Sequence, residues 1–136
     1  MKPEALLPRR VIALYDRSLL AYLPPPDETP PYAVIPAPGL GPIMGLPWWL
    51  ALTRDLHGPK LFDAGSAPAL AALALREGVA WVICTARGPA LETIRALAPL
   101  CGGQILTSRP DALTLGRPPY NAYRLTQLSR YLARES

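Results

Sequence analysis

The strongest constraint on the fold of this chain is an alternation of short apolar runs with segments of helical pattern. The runs YAVIP, KLFDA, VAWVIC and QILT show no regular change between apolar and polar residues, which is typical of strands buried on both faces of a parallel sheet. The segments LPWWLALTRDL, SAPALAALALREG and PALETIRALAPL lie between these runs, and a last helix is expected from about Tyr120. We therefore predict a small α/β domain with one parallel sheet of about four strands and helices on both faces, a three-layer arrangement.

The residues between the predicted elements agree with this pattern. Gly58, Gly78 and Gly102 follow the three helical segments, as glycine often does at the end of a helix. Pro89 stands where the third helix would begin, and Ser66 is expected to cap the second helix. Strands connected by one helix each run parallel, so their carboxyl ends should share one edge of the sheet, where such folds bind ligands.

The N-terminal segment is expected to lie outside this domain. RRVIALYDRSLLAYL has apolar residues at helical spacing and predicts a helix, although a strand over residues 11–15 is an alternative because the run is short. LPPPDETPP cannot continue a helix and predicts an extended connector. The predicted organisation is an N-terminal helical arm over 1–23, a proline-rich linker over 24–31 and an α/β domain over 32–136, all within a single folding unit.

Charge and hydropathy restrict the partners of the chain. Fourteen basic and ten acidic residues give a net charge of +4 over 136 residues, which is small and scattered and argues against nucleic acid as a partner. No run approaches the roughly 18 apolar residues that a membrane span needs, so we expect a soluble, cytoplasmic protein. Cys84 and Cys101 have no metal-site or disulfide spacing and are expected to be reduced thiols.

Five residues in the loops after the predicted strands form a candidate ligand site. Asp63 ends a strand and is followed by Gly65 and Ser66 at the start of a helix, while Arg87 and Arg109 lie in the next two loops. Together they would suit a small phosphate- or carboxylate-bearing ligand, because guanidinium groups and helix amides bind anions. The alternatives are a tight turn into a capped helix at DAGSAP and two solvated arginines.

No other motif carries a recognisable chemistry. The glycines of APGLGPIMG do not fit a dinucleotide-binding loop, since Met44 occupies the place of the third glycine. His57 is the only histidine and has no partner at metal spacing. We therefore predict no cofactor, no metal and no catalytic residue.

Trp48 and Trp49 are the candidate interface residues. Adjacent side chains on a helix point about 100° apart, so one of them could be exposed and anchor a partner.

The sequence leaves two classes of function open. The first is a non-catalytic interaction or assembly protein that forms a homo-oligomer, and the second is a small ligand-binding domain or enzyme that uses the loops at the carboxyl ends of the strands. The residues resemble no family that would choose between them.

Overall fold

A computed structural model describes residues 7–25 and 31–133, where strands and helices alternate along the chain. The strands are β1 (Arg10–Leu14), β2 (Tyr32–Pro36), β3 (Leu61–Asp63), β4 (Trp81–Ile83) and β5 (Gln104–Leu106). The helices are a 3-10 helix (Arg17–Tyr22), α1 (Leu40–Met44), α2 (Leu46–Leu52), α3 (Pro68–Arg76), α4 (Pro89–Leu100) and α5 (Ala122–Ala133). None of these helices is long and apolar enough to cross a membrane.

The strands are parallel, as predicted, but they form two sheets. β1 pairs with β2, and β3, β4 and β5 pair in that order. All four predicted strands are present, and the α/β class is confirmed. The expectation of one four-stranded sheet is wrong, because the ladder is interrupted between β2 and β3.

Pro36 gives the interruption a physical cause. One bridge, between Val34 and Lys60, joins β2 to β3, and the Val34 amide donates to the Pro59 carbonyl over 3.1 Å. In a parallel ladder the next donor of β2 on this side would be the nitrogen of residue 36. Proline has no N–H, so this hydrogen bond cannot form and the sheet divides here.

The N-terminal segment differs most from expectation. Residues 10–14 form β1, and all five are buried and paired with β2. The predicted helix is therefore wrong there, and its later part forms only the 3-10 helix, whose first turn is capped by Asp16 accepting from the Ser18 amide over 2.8 Å. The apolar run of β1 is thus part of the core. Residues 1–6 of the predicted arm and 26–30 of the predicted linker lie outside the described residues.

The two faces of the strands are covered differently. Every described helix that reaches the core packs into one cluster, which includes Leu46 and Trp49 of α2, Leu75 of α3, Ile94 of α4 and Leu128 of α5. The second cluster draws its buried residues from strands alone: Val11, Ala13, Ala33, Ile35, Leu61, Trp81 and Ile83. Helices were expected on both faces. Strands that follow one another in sequence order, with right-handed crossovers, place their helices on the same face.

Residues 107–112 cover part of the second cluster. The chain leaves β5 at one end of the strand array and reaches Leu113, which bridges to Ile12 on the outer side of β1. Five strand spacings of about 4.8 Å separate these points in a flat array, roughly 24 Å. Seven residues span that distance only when fully extended, and this segment bends at 107 and 108. The strands must therefore curl around the cluster, and Ala112 packs against it.

The outer edge of β1 is closed by α5 as well as by Leu113. The Ala13 amide donates to the Leu113 carbonyl over 2.9 Å, and the Leu113 amide donates to the Val11 carbonyl over 2.8 Å. The Val11 amide donates to the Tyr131 hydroxyl over 2.8 Å, and this hydroxyl donates to the Val11 carbonyl over 3.2 Å. A tyrosine side chain thus takes the place of a neighbouring strand.

We expect Tyr131→Phe to lower the free energy of unfolding by about 1–3 kcal/mol, because the buried Val11 amide loses its acceptor. Urea denaturation followed by circular dichroism measures the change. Tyr123→Phe is the matched control, since Tyr123 lies on the same helix with 71% of its surface exposed. Equal stability of the two variants would contradict this role for Tyr131.

Candidate functional site

Asp63 and Arg109 meet at the carboxyl ends of the strands. The Arg109 Nη1 donates to Asp63 Oδ2 over 2.9 Å. The Arg109 Nη2 donates to the carbonyl of Pro36 over 2.8 Å. The side chains are 23% exposed for Arg109 and 13% for Asp63, so the ion pair is largely shielded from water. One guanidinium therefore joins the last residue of β2 to the last residue of β3.

The second oxygen of Asp63 is used by the turn that follows β3. Its Oδ1 accepts from the Gly65 amide over 2.8 Å. Gly65 has a φ of 60°, which glycine adopts without the steric cost of a side chain. DAGSAP was interpreted as either a tight turn or part of a binding site. Asp63 has a part in both, because it accepts the hydrogen bond of the turn and also binds an arginine. Its two oxygens already have partners, so it is not an unoccupied base.

Ser66 and Arg87 are not part of this contact. Helix α3 begins after Ala67 and has no side-chain cap, so the prediction that Ser66 caps it is wrong. Ser66 and Arg87 are both exposed, and no hydrogen bond or ion pair of either side chain occurs within residues 7–25 and 31–133. The loops themselves are neighbours, because the Thr85 amide donates to the Gly65 carbonyl over 2.8 Å. Three of the five predicted residues therefore come together, and two point away.

In this arrangement each of the two charged groups is held by two partners within the protein. Arg109 is held by a carboxylate and a carbonyl, and Asp63 by a guanidinium and an amide, so the charges neutralise each other within the protein. An anion that bound Arg109 would have to displace Asp63 or share the guanidinium with it. Arg87 is the one predicted site cation that reaches solvent with its charge unpaired among the described residues.

The glycine-rich segment forms helix α1, which packs against this site. Gly41 of α1 lies so close to β3 that a Cβ atom there would overlap the carbonyl oxygen of Asp63. A Cβ on Gly65 would lie 3.3 Å from the Pro42 ring. Gly41 was compared only with a dinucleotide-binding loop, whereas Gly65 was expected in a tight turn or a ligand site. At Gly41 the absence of a side chain instead allows close packing of helix and strand.

The remaining candidates lie away from the Asp63–Arg109 pair. Trp49 is buried with 1% exposure, whereas Trp48 is half-buried, with its ring centroid 5.8 Å from that of Trp49. His57 is exposed beyond the end of α2. Cys84 is buried and Cys101 half-buried, and both are free thiols. The described part of the chain holds no group of three or more histidine, cysteine or acidic side chains placed to bind a metal.

Comparison of the chain with known protein families, with curated proteins and with solved structures finds no match. Its function must therefore be inferred from its own residues.

We expect Asp63 and Arg109 to be energetically coupled. In a double-mutant cycle of Asp63→Asn and Arg109→Gln, the interaction free energy should be about 1 kcal/mol or more, because the pair is shielded and hydrogen-bonded. Arg87→Gln is the control for loss of a loop arginine and should change stability by less than about 0.5 kcal/mol. Urea unfolding of the four members of the cycle gives the interaction free energy. If the effects of the two substitutions on stability simply add, the coupling of Asp63 with Arg109 is contradicted.

Proposed function

We propose that this protein is a non-catalytic assembly protein that forms a homodimer through the free edge of β5. The observation that carries the proposal is a difference between the two ends of the strand array. The outer edge of β1 is closed by Leu113 and Tyr131. Within the described residues, the hydrogen bonds of β5 to other strands all go to the β4 side, including Gln104 to Ala80 and Cys84 to Leu106.

Its short length is the only one of the usual protections against pairing that the free edge of β5 has. Natural sheets block exposed edges with charged side chains, prolines or bulges. The strand consists of Gln104, Ile105 and Leu106, which are uncharged and contain no proline. In the ladder with β4, Gln104 and Leu106 use their backbone groups, which leaves those of Ile105 directed to the open side. Such an edge favours addition of a further strand.

Leu100 adds apolar surface beside this edge. It ends α4, with three residues between it and β5, and 83% of its surface is exposed. A single exposed leucine is common on a protein surface, but this one ends a helix that packs against an unpaired strand. Helix α4 packs against β5, so both belong to one continuous surface.

A second copy of the chain is the partner that this edge fits. A two-fold axis brings an edge against itself, so the two β5 strands would pair antiparallel and join two three-stranded sheets into one of six strands. The edge carries no charge of its own that would oppose self-pairing. Trp49, one of the two expected contacts, is buried in the core, so the proposed surface is the β5 edge and Leu100.

We expect the parent protein to sediment as a dimer, and Gln104→Lys combined with Leu100→Lys to sediment as a monomer. Two lysines at a two-fold contact repel their counterparts and resist desolvation. Sedimentation velocity over a range of protein concentrations gives the mass.

Ile43→Lys with Leu73→Lys is the matched control for charge and for lost apolar surface. Both residues are exposed, at 76% and 43%, and they lie on α1 and α3 rather than at β5. This control should remain dimeric. A monomeric parent at all concentrations, or a dimer that survives the lysines at β5, would exclude the proposal.

A further inference from the structure

A cavity of about 340 Å³ lies at the amino ends of β3 and β4, on the side of the molecule opposite the Asp63–Arg109 pair. It is bounded by the end of α2, the residues before β3 and the turn between α3 and β4. A volume of this size is within the range of small-molecule sites. Its lining includes Trp49, Thr53, His57, Lys60, Glu77 and Val79.

The indole N–H of Trp49 is the observation that points to a ligand. Its nitrogen is buried and has no hydrogen-bond partner within the described residues, while the side chain lines this cavity. A buried donor without an acceptor destabilises the folded protein, and native proteins rarely leave one unpaired. The Thr53 hydroxyl does not accept from this N–H, and its hydrogen bond goes to the Trp49 carbonyl over 2.8 Å. The nitrogen is covered in this structure, so an acceptor from a bound molecule pairs with it once a covering side chain shifts.

Lys60 supplies a positive charge at the same cavity. It is half-buried, and no carboxylate lies within 4.0 Å of its ammonium group in the described part of the chain. His57 lines the cavity beside it. The lysine is placed by the bridge to Val34, which fixes the first residue before β3. A cation and a buried N–H donor on one cavity select an anionic oxygen acceptor.

The other residues that line the cavity indicate the polarity of the rest of the ligand. Leu50, Leu56 and Val79 join the Trp49 ring around the cavity, and its exposed lining is more apolar than polar. Glu77 is the only carboxylate of the lining and is itself exposed. An apolar body with one acidic group matches these walls better than a highly charged molecule such as a nucleotide.

We propose that this cavity binds a small monocarboxylate with a compact apolar body. The carboxylate accepts from the Trp49 indole N–H and pairs with the Lys60 ammonium, and the apolar body packs between α2 and the turn before β4. This site is independent of the β5 edge, and its failure would leave the assembly proposal unaffected.

The test is an NMR titration of the ¹⁵N-labelled protein, in which the chain's three tryptophans each give an indole N–H signal. The Trp49 signal is assigned by its loss in Trp49→Phe. Acetate, isovalerate and phenylacetate are added to about 10 mM, with phenylacetamide as the uncharged counterpart of phenylacetate. We expect a saturable shift of the Trp49 signal that is larger for the two apolar acids, and no comparable shift of Trp81, which lies in the other cluster.

Lys60→Gln should raise the dissociation constant about tenfold or more, the scale of one lost charge-assisted contact. Lys60→Arg should restore part of it. Arg95→Gln is the matched control, because Arg95 is an exposed cation of α4 away from the cavity, and it should bind like the parent. The Trp81 signal reports whether each variant is folded. A Trp49 signal unmoved by all three acids, a shift of equal size with phenylacetamide, or an unchanged dissociation constant in Lys60→Gln would overturn the proposal.

Discussion

The contact of Arg109 with Asp63 and Pro36 is the interaction on which the arrangement of the two sheets depends. Proline at position 36 removes the backbone donor that would have continued the ladder from β2 to β3. The guanidinium of Arg109 joins the ends of the two strands with hydrogen bonds of 2.8 and 2.9 Å, one to each strand. A side chain thus links the two strands beyond the point where main-chain pairing stops. Arg109 belongs to the segment that crosses from β5 to β1. The same contact therefore also holds that segment over the second cluster, whose buried residues all come from strands.

This constraint explains why the carboxyl edge of the strands is crowded. Gly41 allows α1 to press against the end of β3, and Gly65 allows the turn that Asp63 stabilises. The edge that parallel α/β folds commonly use for ligands is therefore occupied by the protein's own packing. The amino edge is different, since it retains a cavity, an unpaired lysine among the described residues and a buried indole donor. Among the described residues, the amino edge and the open side of β5 are therefore the surfaces that the packing leaves free for a ligand or a partner.

A comparable asymmetry exists between the first and last strands. β1 is enclosed by β2, Leu113 and the Tyr131 hydroxyl, and all its residues are buried. β5 is half-exposed and packs against α4, which ends in Leu100, the most exposed large apolar side chain among the described residues. An N-terminal strand without its covering would present four apolar residues to water, whereas the short β5 presents little apolar surface by itself. Helix α5 covers the more hydrophobic of the two edges, that of β1, whose exposure to water would cost more free energy.

The sequence by itself determined the local elements. Apolar runs such as VAWVIC, and Pro89 after Gly88, predicted β4 and the start of α4, because periodicity, turn residues and proline act over a few neighbours. It also brought Asp63 and Arg109 to one edge, since parallel connections leave no other choice. It did not distinguish helix from strand in RRVIALY, because five apolar residues satisfy both patterns until a partner strand is present. Only the tertiary structure decided that Pro36 divides the sheet, that Arg109 links the two strand ends, and that Trp49, whose indole donor has no partner among the described residues, lines the same cavity as Lys60. Each of these depends on which distant groups are within hydrogen-bond reach, and that is a property of the packed chain.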